Sequence, residues 1–290
     1  MTRSQGAHWY RSRRCAAGVL AMLLSGLIAG CATQVPTVPP IGTPGISLPG
    51  KVVWHDLLTP NPAGAQEFYG ELLGWTFEDV GSGYTLARHD GRLVAGIAKV
   101  DKPEENGHWI THLSVQDMDA VLAHTRTSGG EVILEPFDMQ GRGRVALLRD
   151  PQGAAFGVIQ SSTGDPEDRE RAVSEWLWDE VWTRDVPSTI SFYKGVARFD
   201  AAETQVFDVT YTYLKSEGKP RFGFIEKPGD EIDPTWISYV LVDDVAAAVA
   251  KVDSLGGAVL LAPDARVRDG SVAIVTDAQG SGFVMQEDRP

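Results

Sequence analysis

The strongest constraint on this chain is that most of it is written twice. Trp54-His55-Asp56-Leu57 returns 124 positions later as Trp178-Asp179-Glu180-Val181, and Phe68-Tyr69 returns at the same offset as Phe192-Tyr193. From Gly96, which matches Gly223, the offset becomes 127. At that offset Trp109-Ile110 matches Trp236-Ile237, Asp117 matches Asp244, and Gly129-Gly130 match Gly256-Gly257. Pro136 likewise matches Pro263, and Asp150-x-Gln152-Gly153 matches Asp277-x-Gln279-Gly280. Three extra residues in the second copy, between about 70 and 96, account for the step, and loops are expected there. A period held this long means a duplicated folding unit, and it has to be recognised before elements are assigned.

Each copy divides again. In the first, Lys51–Leu58 has the length and β-branched content of a strand. Pro60-Asn61-Pro62 then opens a helix whose apolar positions Ala65, Phe68, Tyr69 and Leu72 follow the helical period. Short strands are expected near 76–79, 84–89 and 92–99, punctuated by Gly81, Gly83 and Gly91. The pattern restarts at 108–115, with Asp117 as the N-cap of a second helix that Gly129-Gly130 stops. Strands follow near 131–134, 143–148 and 155–160. The expected class is α+β, with two tandem domains at 51–162 and 172–288. Each is a pair of βαβββ modules, and a charged linker at 164–171 joins the domains.

At these residues the chain resembles the vicinal-oxygen-chelate superfamily, which includes glyoxalases, bleomycin-resistance proteins and extradiol dioxygenases. The resemblance rests on Pro60-Asn61, on Phe68-Tyr69 followed by Leu73-Gly74-Trp75, on Val115-x-Asp117-Met118-Asp119, on Gly129-Gly130 and on Asp150-Pro151-x-Gly153. The second copy repeats it as Phe192-Tyr193, Val242-Asp243-Asp244-Val245, Gly256-Gly257 and Asp277-x-x-Gly280. It implies that each pair of modules forms a cupped mixed sheet around a ligand. Family enzymes hold a divalent metal through His or Gln on the first strand, His on the fifth and Glu on the eighth. The matching positions here are Trp54, Ile110 and Gly157, then Trp178, Ile237 and Val284. None of the six has a usable donor: indole N–H donates, and aliphatic groups do not coordinate. No metal site and no cofactor are therefore expected, a divalent metal entering only under an enzyme reading.

Strand alternation places Asp56 beside Trp54 and His112 beside Ile110, facing the first cup. Asp56 and His112 are open to three readings: a pair that satisfies two polar groups, a ligand-binding or proton-transfer dyad, or a metal site unlike the family's. In the second copy the same places hold Glu180 and Tyr239; Glu180 is either satisfied by a nearby Arg or backbone N–H, or a candidate acid or base if the cup excludes water. Trp54 and Trp178 either stack a planar ligand or fill the space a metal would take. His55 and Asp179 alternate to the opposite face, and the Phe-Tyr pairs on helices read as core anchors. Arg142, Arg144, Arg266 and Arg268 precede matching strands. They read as solvated loop charges, with gating of an anionic ligand as the alternative.

Arg3, Arg11, Arg13 and Arg14 precede an apolar run at 16–29 that ends Leu27-Ile28-Ala29-Gly30-Cys31. Some 14 residues rise roughly 21 Å as a helix, short of a ~30 Å hydrocarbon core, so residues 1–30 read as an export signal. The end of the run resembles a bacterial lipobox, which implies lipidation of Cys31. Ala32 in place of Asp implies outer-membrane sorting if the cell is Gram-negative. Residues 31–50 carry Pro36, Pro39, Pro40, Pro44 and Pro49 and read as a semi-rigid tether. Removal of residues 1–30 takes the formal charge from −13 to −17 and leaves Cys31 as the only cysteine. So acidic a body disfavours a nucleic-acid partner. No phosphate loop, Gly-x-Ser-x-Gly elbow or His-Glu-x-x-His is present.

The reading is a membrane-anchored envelope lipoprotein that binds a small molecule in its cups without metal. The first alternative is a lyase, isomerase or dioxygenase-like enzyme using Asp56/His112 or Glu180. The second is a structural envelope lipoprotein without ligand. Cys31→Ser is expected to move the protein from the membrane pellet to the soluble fraction on ultracentrifugation; a variant that stays in the pellet contradicts the tether.

Overall fold

The computed structural model describes residues 37–101, 106–206 and 209–288. Residues 1–30, read above as an export signal, and Cys31 lie outside the described residues. Each copy folds into one eight-stranded sheet, ordered β2-β3-β4-β1-β5-β8-β7-β6 in the first and β10-β11-β12-β9-β13-β16-β15-β14 in the second. In the first, β1 (Val52–Thr59), β2 (Thr76–Asp79), β3 (Tyr84–His89) and β4 (Arg92–Lys99) form one module. The other is β5 (His108–Ser114), β6 (Glu131–Met139), β7 (Gly143–Arg149) and β8 (Ala155–Ser161). The second sheet repeats this with β9 (Trp176–Thr183), β10 (Asp200–Val206), β11 (Val209–Ser216), β12 (Lys219–Glu226), β13 (Thr235–Val242), β14 (Ala258–Leu261), β15 (Val272–Thr276) and β16 (Gly282–Glu287). The modules of a copy join along antiparallel β1–β5 and β9–β13, so the α+β class and the paired βαβββ plan both hold.

Local chemistry sets the helices where expected. Asn61 accepts from the Gly64 amide and precedes Pro62 at the start of the Pro62–Leu73 helix, which Gly74 ends in the left-handed region at φ 70°. The helices Met118–Thr127, Val186–Tyr193 and Val245–Val252 are capped by Asp117, Asp185 and Asp244.

Each helix lies on strands of its own copy, and the core it builds runs on into the other copy. Phe68, Tyr69 and Leu72 of the first copy share a core with Val240, Val245, Val252 and Phe283 of the second. Reciprocally, Phe192 and Tyr193 pack with Leu113, Met118, Leu122 and Phe156. The repeated motifs interlock across this seam. The Tyr69 hydroxyl, which accepts from the Trp109 indole at 2.9 Å, donates to Asp277 at 3.2 Å. The Tyr193 hydroxyl, which accepts from Trp236 at 2.7 Å, donates to Asp150 at 3.2 Å. Each Asp-x-x-Gly turn thus receives the Phe-Tyr element of the opposite copy.

Between the sheets His55 Nε2 lies 2.8 Å from Asp179 Oδ1, which also accepts from Ser238 at 2.6 Å and Thr111 at 3.3 Å. His55 stacks on Trp176 with centroids 4.4 Å apart. All four polar residues are buried, so the carboxylate depends on these donors in place of water.

Residues 37–50 are held against the first copy rather than standing off as a spacer. Val38 is 2% exposed among Trp54, Tyr84, Val145 and Ile159, and its amide donates to the Gln140 carbonyl at 3.0 Å. Further along, the Leu48 amide and Ser114 hydroxyl both donate to Asp165, each at 2.6 Å. The Pro and Gly count predicts stiffness; the apolar Val38 and Ile41 supply the adhesion. The linker is fixed as well, since Asp168 pairs with Lys51 at 2.9 Å and Arg221 at 2.7 Å.

A core shared by both copies predicts one cooperative urea transition, coincident by tryptophan fluorescence and circular dichroism. His55→Ala is expected to lower stability by about 2 kcal/mol without splitting that transition, through loss of a bond to a charged group; two separate transitions in the wild type contradict the shared core.

Candidate functional site in the two cups

The first cup is centred on Asp56. The register sets Trp54 opposite His112, Asp56 opposite Ile110, and His112 opposite Gly157, making one patch across β1, β5 and β8. Asp56 Oδ1 accepts from the Tyr84 hydroxyl at 2.6 Å and the Trp54 indole at 2.8 Å. His112 Nε2 lies 2.9 Å from Asp56 Oδ2, at ion-pairing distance but out of line for a hydrogen bond, and both its ring nitrogens lack an in-line partner. The structure thus brings together the Asp56 and His112 that alternation places on one face.

Two glycines make room for this. A Cβ at Gly96, beside Asp56, would sit 1.9 Å from the Tyr84 hydroxyl, and one at Gly157 would sit 2.0 Å from His112 Nδ1. The His112 ring therefore lies against the strand position that carries the metal-binding Glu in family enzymes.

Arg142, in the turn before β7, is 1% exposed, with its guanidinium carbon 3.8 Å from the centre of the Trp54 ring. Nε and Nη2 have no hydrogen-bond partner. It is not a solvated loop charge: the planar cation lies on the indole face that a flat ligand was expected to use. Arg144 and Arg266 are exposed and pair with Asp119 and Asp264.

The second cup repeats the plan in a closed form. Glu180, fully buried, accepts from Tyr211 at 2.8 Å, Tyr239 at 2.6 Å, Trp182 at 3.3 Å and Arg268 at 2.9 Å. The Trp178 indole donates to Tyr211 at 2.7 Å. Gly223 allows this as Gly96 does in the first cup, since its Cβ would lie 1.8 Å from the Tyr211 hydroxyl. Arg268 also lies over the Tyr239 ring at 5.3 Å. Glu180, the candidate acid or base, is therefore engaged by four donors. Sequence reasoning missed Tyr84, Tyr211, Trp182 and the inward course of Arg142 and Arg268. Tyr84 and Tyr211 stand 127 apart, at the offset of Gly96 and Gly223, and that signal was available.

Burial alone would raise the Asp56 carboxyl; His112, Tyr84 and Arg142 more than offset it and hold it below the usual carboxylate range. Burial, reinforced by the neighbouring carboxylates, pushes the Tyr84, Tyr211 and Tyr239 hydroxyls well up, which keeps them neutral donors. Burial lowers Arg142, with Tyr84 and Asp56 opposing that shift.

The Glyoxalase-like domain family matches residues 52–159. DauV of Streptomyces sp. (strain C5), an anthracycline biosynthesis protein, is 32% identical over 258 residues, 82% of this chain and 94% of its own length. CFP32 of Mycobacterium bovis, which bears a provisional glyoxylase name, is 29% identical over 250 residues, 83% of this chain and 96% of its own. Among solved structures, the Mn(II)-bound glyoxalase of Novosphingobium aromaticivorans superposes with a TM-score of 0.57 at 15% identity, covering 83% of each chain. With its paired βαβββ sheets and these relatives, the chain belongs to the vicinal-oxygen-chelate superfamily, in its glyoxalase-like branch.

The family metal does not fit these residues. Trp54, Ile110 and Gly157, like Trp178, Ile237 and Val284, have no lone pair to give. Asp56 and His112 make only two donors, and no group of three or more His, Cys, Asp or Glu able to hold a metal occurs among the described residues. The guanidinium of Arg142 adds a cation to the same cup, which opposes a second one.

Because the folded-state pKa of Asp56 is depressed, the stability it contributes is present above the unfolded carboxylate pKa, near 3.9, and is lost as pH falls through the lower folded value. His112→Gln removes the largest force lowering it. The acid-unfolding midpoint, followed by circular dichroism, is therefore expected to move to higher pH; an unchanged midpoint contradicts the coupling.

Proposed function

We propose that this chain is an exported, membrane-anchored glyoxalase-like protein whose first cup binds a small organic molecule without a metal. The observation that carries this reading is Arg142, a fully buried guanidinium on Trp54 with two of its nitrogens unspent. An unsatisfied buried charged donor is costly, and a ligand oxygen is what it lacks. A flat molecule bearing carbonyl, phenolate or carboxylate oxygens matches a guanidinium backed by indole, with Asp56 and His112 beside it for a ligand hydroxyl. The anthracycline biosynthesis relative supports a planar, oxygen-rich aromatic as the class. Val38 and Ile41 lie over this cup, so entry displaces that segment. The second cup, with Glu180 engaged on both oxygens, has a structural role.

A second reading draws on the Asp56–His112 pair. An imidazole backed by a carboxylate and lacking in-line partners on its ring can move a proton at a bound molecule, which would make the protein a metal-free lyase or isomerase.

1,4-Dihydroxyanthraquinone is the probe. It is expected to quench tryptophan fluorescence of the purified protein with a micromolar Kd that EDTA does not change, and Arg142→Gln is expected to weaken binding at least tenfold. Absence of binding, or binding that appears only with added Mn(II), overturns the proposal.

A further inference from the structure

A cavity of about 350 Å³ opens at the junction of the two copies, bordering the first cup at Trp54 and Ile41. Its walls come from residues 52–55 of β1, the β3–β4 hairpin, the linker, the start of β9 and residues 40–41. Four guanidinium groups line it, those of Arg88, Arg92, Arg169 and Arg171, against the two carboxylates of Glu167 and Glu175. The chain as a whole is acidic, at −13, so this concentration of positive charge runs against its surroundings.

Not all of that charge is spent. Arg169 takes Glu175 in both oxygens, at 2.6 and 2.7 Å, and the Ala172 amide adds a third donor at 3.0 Å. Glu175 is then saturated, and Arg92 stands off at 3.9 Å with its side chain 60% exposed. Arg88 is held by Glu78 and the Gly91 carbonyl. Among the described residues Arg171 makes no hydrogen bond or ion pair; burial and neighbouring Arg169 lower its pKa, against the opposing pull of Glu175, Asp179 and Asp168. The remaining wall is mainly apolar: Trp176, whose indole N–H is spent on the Val94 carbonyl at 2.9 Å, with Leu93, Pro40, Ile41 and Trp54, and with His55 already engaged by Asp179.

From this arrangement we infer a second ligand site, which takes a compact organic oxyanion: a phosphate or carboxylate held by Arg92 and Arg171, on a ring system packed against Trp176 and Leu93. The size suits one or two rings, at the lower end of small-molecule pockets. Guanidinium groups on two different segments grip an oxyanion from two sides, and the apolar wall selects against inorganic phosphate alone. The site joins the linker, both copies and the N-terminal segment, so its occupant bridges them.

1-Naphthyl phosphate, titrated into the full chain by calorimetry, is the test. Binding is expected, weakening as NaCl is raised, and at least tenfold weaker for neutral 1-naphthol and for inorganic phosphate. Arg171→Gln is expected to weaken naphthyl phosphate at least tenfold. Arg92→Gln, on an exposed side chain whose loss leaves folding intact, is expected to do the same and decides the matter if the Arg171 variant misfolds. No binding at millimolar concentration, equal affinity for 1-naphthol, or unchanged affinity in either folded variant overturns the inference.

Discussion

A buried carboxylate between two sheets has to be supplied with donors, and the meeting of Asp179 with His55, Ser238 and Thr111 is the constraint around which this molecule is arranged. All four side chains point away from the cups, so satisfying Asp179 draws β1, β5, β9 and β13 together back to back. Once those strands are fixed, alternation decides what faces the other way: Trp54, Asp56 and His112 in one cup, and Trp178, Glu180 and Tyr239 in the other. A change at the seam therefore reaches the cups through strands that have no freedom to rotate. The flanking helices reinforce this, because the cores they build contain residues of both copies.

The two cups show how one plan yields two outcomes. Both place a carboxylate on the central strand, a tyrosine hydroxyl reaching it across a glycine, and an arginine lying over an aromatic ring. In the second cup Arg268 extends to Glu180 and completes the shell. In the first the arginine stays on the indole and the shorter Asp56 does not reach it, so donor capacity is left over in a dry place. One methylene in the acid and a different approach of the loop separate a filled cup from a poised one. Family metal chemistry is closed to both, because donors are missing at the strand positions themselves.

Much of the fold could be read from the chain because it depends on period and punctuation. The duplication, the βαβββ order, the Asp caps and the opposed faces of residues 54/56 and 55 all follow from spacing. Asp56 and His112 were within reach for the same reason. Which residues of the other copy join each core was not, since a repeat carries no label for its partner; Tyr69 meeting Asp277 appears only in three dimensions. Arg142 was misread because a charged residue in a Gly-rich loop ordinarily faces water, and only Trp54 beneath it reverses that. The adhesion of residues 37–50 was hidden by the proline count. Tyr84 and Tyr211 were hidden by nothing; their spacing announces them.

The crosswise seam bears on ancestry. In a symmetric pair of identical subunits, a residue on the two-fold axis faces its own copy, whereas one off the axis faces a different residue. Tyr69–Asp277 and Tyr193–Asp150 are off-axis partners and are the same in both repeats. His55 and Asp179 occupy the self-facing position, and there the repeats differ. Two aspartates at that distance would repel, and the duplicated chain can place an unlike pair there where two identical subunits could not. That is the distribution of sameness and difference expected of a homodimer fused into one polypeptide, and it commits each half to the partner it now carries.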